Sequence, residues 1–220
     1  MSSSALPTLS SSQVKEIDRL CAERFRLPVE WLMEAAGWRI ATYVTKPATV
    51  VCGVGNNAGD GLAAARHLHR WGRLVNVCCV DPSRLRGPAA LELEALRKEG
   101  VRPLTELRLT GARTIVDAVF GTGLSSPPEG KFAEWIRAIN VVRAEVVSID
   151  VPSGLDAESG EAYSPIVKAD VTITLGLPKR GLMNLPGDVY VADIGIPTEA
   201  YRAAGVQVPP HLIDAPLIRL

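Results

Sequence analysis

The sequence has few cysteines and no excess of charge of either sign, and each shortage argues against a class of protein. Its four cysteines include no Cys-x-x-Cys pair, so neither a disulfide framework nor a zinc site is predicted from them. Lys plus Arg and Asp plus Glu both number 24, and no basic stripe indicates a nucleic-acid partner. We interpret the cysteines as small buried apolar residues, which is compatible with a cytoplasmic protein.

Long apolar runs and histidine clusters are also absent from the sequence. No run approaches the roughly 20 residues of a membrane-spanning helix, so no membrane partner is predicted. The Ser-rich residues 1–12 lack the apolar segment of a secretory signal, and residues 1–10 are interpreted as a disordered tail or a cloning remnant. His67, His69 and His211 have no zinc-like partners and are expected at the surface or in helix packing.

Short apolar runs alternate with helical patterns along most of the chain. Strands are predicted at 49–52, 74–80, 114–119, 145–149, 171–175 and 189–191, with a short one at 101–104. Helices are predicted at 12–25, from Pro28 onward, at 60–71, 88–99 and 131–142, and as a turn at the end of the chain. The fold class is therefore α/β: a Rossmann-like three-layer αβα sandwich with a mostly parallel sheet and two N-terminal helices. We predict one domain at 11–206 and a tail at 207–220.

The stretch Gly-Val-Gly-Asn-Asn-Ala-Gly-Asp-Gly, residues 53–61, lies between the first predicted strand and a helix. A glycine turn before a helix start places N–H groups where phosphate binds well. The stretch lacks the lysine of a P-loop, and its glycines are spaced one residue too widely for the dinucleotide fingerprint. A standard NAD-dependent dehydrogenase is therefore disfavoured. Asp81 follows the second strand like a ribose-binding acid, but Asp before proline is also a common turn residue.

Polar residues follow four of the predicted strands or lie near their ends. Because the carboxyl ends of parallel strands meet at one edge of a sheet, we expect these side chains to surround a single ligand-binding crevice. The residues are Asn56, Asn57, Asp60, Asp117, Asp150, Ser153 and Lys179.

Several motifs in this order resemble the YjeF N-terminal domain family, the NAD(P)H-hydrate epimerases. Besides 53–61 they are Val-Asp-Ala-Val-Phe-Gly-Thr-Gly-Leu (116–124), Ser-Ile-Asp-Val-Pro-Ser-Gly-Leu-Asp (148–156) and Val-Ala-Asp-Ile-Gly-Ile-Pro (191–197). Gln-Val-Lys-Glu-Ile-Asp (13–18) and Leu-Met-Glu-Ala-Ala-Gly (32–37) add to the resemblance. One position differs, because the family has glycine where this chain has Ala58. Alanine would cost about 1–2 kcal/mol there if the position needed a positive φ, and nothing if it is helical.

The resemblance implies a fold that interconverts the R and S forms of hydrated NADH and NADPH and that binds a potassium ion. It implies that Asn57, Asp117 and Ser153 are the potassium ligands, although a buried acid bonded to N–H groups is the alternative for Asp117. Oxygen ligands with a single carboxylate suit potassium better than zinc. The implied substrate contacts are Asn56, Asn57, Ala58, Gly59, Asp60, Gly121, Thr122, Gly123, Leu124, Ser125, Ser126, Pro127 and Asp150.

The chemistry of the reaction points to Asp150 as the first candidate for the acid–base group. Lys179 is a weaker candidate, as proton donor or phosphate contact, and a solvated loop lysine is its alternative interpretation. Two other functions stay open. One is a binding module of the same fold without turnover. The other is the epimerase half of a bifunctional repair enzyme, because residues 209–214 resemble the linker to an ADP- or ATP-dependent dehydratase domain. A homodimer through the N-terminal helices is plausible if Trp31, Leu32, Trp38 and Ile40 are exposed, and packing against their own sheet is the alternative.

Overall fold

The structure is a computed structural model that describes residues 6–209 and 215–220. Its helices are α1 Ser11–Glu23, α2 Val29–Tyr43, α3 Asn56–Arg70, α4 Gly87–Lys98, α5 Gly130–Ile139 and α6 Thr198–Ala203. Its strands are β1 Ala48–Cys52, β2 Leu74–Cys79, β3 Thr114–Ala118, β4 Glu145–Ile149, β5 Val171–Leu175, β6 Asp188–Ala192 and β7 Leu217–Arg219. Short 3-10 helices occur at Pro82–Arg84 and Arg180–Asn184.

The described strands form one sheet in the order β2-β1-β3-β4-β5-β6-β7. All neighbours pair in parallel except β7, which is antiparallel to β6. The predicted mostly parallel α/β sandwich is therefore confirmed. After β1 the chain adds β2 on one side and later β3 on the other, so the order reverses between β1 and β3. Open parallel sheets bind ligands at such a switch point, beyond the carboxyl ends of the strands.

The two faces of the sheet are covered unequally. Alternate strand residues point to opposite faces, so Val50 and Cys52 join the core under α1 to α4 and α6, while Val51 joins the core under α5. Helix α3 lies especially close to its neighbours because of two glycines. A Cβ on Gly37 would lie 2.4 Å from the Ala63 Cβ, and one on Gly61 would lie 2.5 Å from the Ala118 Cβ. These approaches hold the start of α3 over the ends of β1 and β3.

Helix α3 begins at Asn56, whereas the sequence pattern predicted a loop up to about Asp60. Glycine and asparagine are weak helix formers, and here packing against α2 and β3 outweighs that preference. The amide of Ala58 donates to the carbonyl of Gly55 at 3.1 Å, and Ala58 is not among the described residues with positive φ. Alanine therefore costs nothing at this position.

Several other predicted elements need correction. The end of the chain forms strand β7 and not a helical turn, because it pairs with the free edge of β6. The predicted strand at 101–104 is reduced to a bridge between Leu104 and Cys78. Helix α6 was not predicted. Within the predicted N-terminal tail, Leu9 is buried and its amide donates to the Pro178 carbonyl at 2.8 Å, so this part of the tail pairs with the loop after β5. Residues 1–5 lie outside the described residues.

The exposure of α2 differs in part from the prediction, whereas the cysteines and His67 lie as expected. Trp31 and Trp38 are exposed, but Leu32 and Ile40 are buried because they lie on the core-facing side of α2. All four cysteines are buried and unpaired. His67 is buried and bonded to Glu34 at 2.9 Å, as expected for helix packing, and His69 is exposed; His211 lies outside the described residues. Among the described helices, none combines the length and the hydropathy required to cross a bilayer.

Candidate functional site

A cavity of about 550 Å³ lies beyond the carboxyl ends of the central strands. The first turns of α3 and the loop after β3 form one side of it, and α1 and α2 form another. The cavity collects most of the polar residues predicted from the sequence. It is lined by Asn56, Asn57, Asp60, Gly121, Thr122, Gly123, Leu124, Asp150 and Lys179, together with apolar side chains such as Leu9, Ile17 and Met33.

Asp117 is completely buried near the end of β3, two residues before Val119, which lines the cavity. Its carboxylate accepts hydrogen bonds from the Ser148 hydroxyl at 2.8 Å, the Ser153 hydroxyl at 2.6 Å and the Ser153 amide at 2.9 Å. The Val119 amide donates a further bond at 3.2 Å. Burial raises the pKa of Asp117, and the hydrogen bonds to the carboxylate act against that rise.

Asn57 and Ser153 meet at the backbone of Phe120. The Asn57 side-chain amide donates to the Phe120 carbonyl at 2.9 Å, and the Phe120 amide donates to the Ser153 hydroxyl at 2.8 Å. The Asn57 Oδ1 atom is buried and has no hydrogen-bond partner within the described residues. A buried polar atom without a partner is costly, so this oxygen indicates a missing ligand.

The residues around Asn57 fit a monovalent cation. An unpartnered amide oxygen, a backbone carbonyl, a hydroxyl and one carboxylate belong to residues linked by hydrogen bonds, and all are hard oxygen donors. The described residues contain no group of three or more His, Cys, Asp or Glu side chains arranged to hold a metal ion. The three potassium ligands expected from the resemblance are thus brought together in one cluster.

Asp150 follows β4 in the left-handed backbone region, with φ 67. Aspartate tolerates this conformation better than most residues, and it directs the carboxylate into the cavity. The carboxylate forms a buried ion pair with Lys179 and accepts a bond from the Leu175 amide at 3.2 Å. The Lys179 ammonium also donates to the Leu175 carbonyl at 2.7 Å. A solvated loop lysine was the alternative for Lys179; that interpretation is wrong, since only 3% of the residue is exposed.

Two further acids, Asp60 and Asp18, face the cavity, and Asp18 was not predicted from the sequence. Asp60 makes no hydrogen bond within the described residues, and burial raises its pKa well above the ordinary value. Asp18 of α1 also lines the cavity, and burial raises its pKa as well. Asp18 ends the motif 13–18, so the resemblance held the information that could have identified it.

The remaining predicted substrate contacts are divided between the cavity and its surroundings. Ser126 and Pro127 line a wider groove beside the cavity, and Ser125 is exposed outside both. Ala58 and Gly59 do not line the cavity. A Cβ on Gly59 would lie 2.5 Å from Met33, so these residues fix the position of α3 against its neighbours.

The sequence and the fold resemble those of known proteins. The chain matches the model of the family described as YjeF-related protein N-terminus over residues 29–181. It is 33% identical over 218 residues to an NAD(P)H-hydrate epimerase of Rhodopirellula baltica, covering 91% of this chain and 89% of that protein. A crystal structure of the yeast protein YNL200c aligns with a TM-score of 0.84 and 26% identity, covering 98% of this chain and 100% of that one.

Longer relatives also match. The chain is 39% identical over 208 residues to the bifunctional NAD(P)H-hydrate repair enzyme Nnr of Thermofilum pendens, and 84% of the chain is covered. It spans only 40% of the length of that relative and of the one from Moorella thermoacetica.

Proposed function

The chain belongs to the YjeF-related protein N-terminus family, and on this premise we propose that it epimerises hydrated NADH and NADPH. The observation that supports this most is the cavity at the switch point of the sheet. It holds a buried ion pair, an unpartnered carboxyl and an oxygen cluster suited to a cation. A reaction with a charged intermediate is favoured by such fixed charges, which need no rearrangement when the charge develops.

The substrate carbon carries a hydroxyl group and is bonded to the ring nitrogen. Protonation of the hydroxyl lets the nitrogen lone pair expel water, which leaves a cationic ring. When a water molecule adds to the opposite face and loses a proton, the other epimer results, and the protons balance. The reaction therefore needs a proton donor, a proton acceptor and a group that stabilises positive charge.

Asp60 and Asp150 fit these different tasks. The raised pKa of Asp60 keeps its carboxyl protonated at a higher pH than an ordinary aspartate, so Asp60 can protonate the departing hydroxyl. Asp150 carries negative charge in its ion pair with Lys179, which suits it to stabilise the cationic ring and to accept the proton of the returning water. Lys179 holds Asp150 in place through its bonds to Leu175 and Thr174.

We propose that Asn57, Asp117 and Ser153 hold a potassium ion together with the Phe120 carbonyl. The unpartnered Oδ1 atom of Asn57 supports this assignment. When bound, the ion would supply a fixed positive charge beside the buried Asp117 carboxylate. The chain's own groups fix the loop after β3, because Asn57 and Ser153 both bond to Phe120.

The proposal is tested by incubating the protein with the purified R epimer of hydrated NADPH and following the S epimer by chromatography. We expect the wild-type protein to equilibrate the epimers and Asp150→Asn to lose at least about a hundredfold in rate. Near-normal turnover by Asp150→Asn would remove that residue from the mechanism. Binding of the substrate without any exchange would favour the non-catalytic binding module.

We also propose a partner domain, a dimer and a cellular location. The bifunctional relatives suggest a dehydratase domain as partner, but residues 210–214 of the predicted linker lie outside the described residues. A homodimer is supported only by the exposed Trp31 and Trp38, and sedimentation at micromolar concentration tests it. Buried unpaired cysteines are compatible with the predicted cytoplasmic location.

A further inference from the structure

An open groove of about 910 Å³ adjoins the cavity, and Phe120 and Leu124 line both. The groove lies beyond the carboxyl end of β2, on the β2 side of the switch point. A ligand in the cavity can therefore continue into the groove past these two side chains. A hydrated nicotinamide ring occupies only one end of a dinucleotide, so the rest of the molecule needs a second surface.

The groove offers apolar and aromatic surface to a flat ring. Pro82 and Pro127 line it, together with the pair Phe120 and Phe132, whose ring centroids lie 5.0 Å apart. These side chains are suited to contact an adenine base.

The groove also carries a free carboxylate oxygen in the position expected of a ribose-binding acid. Asp81 follows the end of β2, and its Oδ1 atom accepts bonds from the Ser83 amide at 3.0 Å and the Ser83 hydroxyl at 2.6 Å. Those two bonds hold the side chain and leave Oδ2 without a partner within the described residues. The Ser83 hydroxyl does most to lower the pKa of Asp81, so this oxygen is an ionised acceptor at neutral pH.

Two cations stand near Asp81, and their charges also lower its pKa. Lys131 is fixed by bonds to the Val80 carbonyl at 2.9 Å and the Thr105 carbonyl at 2.6 Å, and its ammonium has one further proton to donate. The Arg84 side chain lines the groove and forms no ion pair within the described residues. Rossmann-like folds recognise the adenosine ribose in two ways. A carboxylate accepts a hydrogen bond from the 2′-hydroxyl, or an arginine binds the 2′-phosphate.

We propose that the groove binds the adenosine end of the substrate, with Asp81 accepting from a free 2′-hydroxyl and with Arg84 and Lys131 facing a 2′-phosphate. Asp81 then favours hydrated NADH, and the two cations favour hydrated NADPH. This assignment rests on the proposed function, because it takes the substrate to be a dinucleotide. It adds the residues that decide between the two substrates.

The test uses ADP-ribose and 2′-phospho-ADP-ribose, which lack the nicotinamide, in calorimetric titrations of the full chain. We expect Arg84→Gln to weaken the binding of 2′-phospho-ADP-ribose about tenfold and the binding of ADP-ribose less than about twofold. Asp81→Asn should weaken the binding of ADP-ribose about fivefold without weakening the binding of 2′-phospho-ADP-ribose. Arg97→Gln, an exposed arginine in the last turn of α4, is the matched control and should change neither.

A second measurement separates this proposal from the proposed function. In the epimerase assay, Arg84→Gln should lower the ratio of kcat/KM for hydrated NADPH to that for hydrated NADH by about tenfold. If the probes bind as expected but no epimer forms, the proposed function fails and the groove assignment stands. If epimers form and this ratio does not change in Arg84→Gln, or if Arg97→Gln changes it equally, the groove assignment is overturned.

Discussion

The cavity and the adjoining groove hold their polar groups in opposite ways. In the cavity and directly beside it, Asp150, Lys179 and Asp117 are buried and bonded to other side chains and to the backbone. In the groove, the arginine is exposed and the carboxylate bonds only to a serine two residues away. Removing the partner of a buried charge strongly lowers the free energy of unfolding, whereas exposed charges contribute little to it. Changes in the cavity should therefore affect stability and rate together, and changes in the groove should affect only the choice of ligand.

Removal of the Asp117 carboxylate should have the largest effect. Asp117→Ala leaves the Ser153 amide and the Ser148 hydroxyl without their buried acceptor. We expect the free energy of unfolding to fall by about 3 kcal/mol and the epimerase activity to be lost. Urea unfolding measures the loss. Asp170→Ala, which removes the carboxylate of an exposed residue that accepts from the Val146 amide, should cost less. An equal cost at the two positions would contradict the special burial of Asp117.

Lys179→Met should have the second largest effect on stability, because it leaves the Asp150 carboxylate buried without its cation. We expect a loss of about 3 kcal/mol or somewhat less, since the cavity admits some water to Asp150. The double variant Lys179→Met with Asp150→Asn should recover part of that stability but none of the activity. Additive losses in the double-mutant cycle would show that the pair does not act as a unit.

Asp60 makes the pH dependence of stability testable. Its folded-state pKa is raised, so the folded protein binds a proton that the unfolded chain has already released above about pH 4. This difference in proton binding destabilises the folded protein. The destabilisation is absent below the unfolded-state pKa of Asp60 and grows as the pH rises to its folded-state pKa. Asp60→Asn should therefore match the wild-type stability at about pH 3.5 and exceed it by at least about 1 kcal/mol at pH 7, while losing activity. A constant difference across this range in unfolding experiments would refute the raised pKa.

Potassium should stabilise the protein through Asn57. Replacing choline chloride by potassium chloride at equal ionic strength should raise the Tm of the wild-type protein by a few degrees, as mass action requires for a ligand of the folded state. Asn57→Leu removes the unpartnered oxygen and should abolish that rise. Equal Tm values of the wild-type protein in the two salts would count against a potassium site.

Arg84→Gln should have the smallest effect on folding. Its side chain has no partner to lose within the described residues, so its free energy of unfolding should stay within about 0.5 kcal/mol of the wild type. Thermal and urea unfolding of this variant beside Lys179→Met would test the contrast between groove and cavity directly. A loss comparable to that of Lys179→Met would mean that the groove is part of the folded core.

The sequence predicted the sheet better than the ends of the chain. Near-continuous apolar runs such as 114–119 indicate buried parallel strands, because both faces of such a strand meet helices. Residues 217–219 carry no comparable pattern, and they form a strand only because β6 offers a free edge. The start of α3 was misplaced for a similar reason, since Asn56 to Gly59 become helical through packing that local preference does not record.

The sequence by itself determined the fold class, the family and the loops that carry the site, because motif order and hydrophobic periodicity are local features. Only the tertiary structure decided which side chains share an environment. It brought the Asn57 oxygen to the Phe120 backbone without a hydrogen-bond partner, paired Asp150 with Lys179, and exposed Asp18 and Asp60 to one cavity. Burial, charge pairing and missing partners depend on contacts between residues far apart in the chain, and no single stretch of sequence contains them.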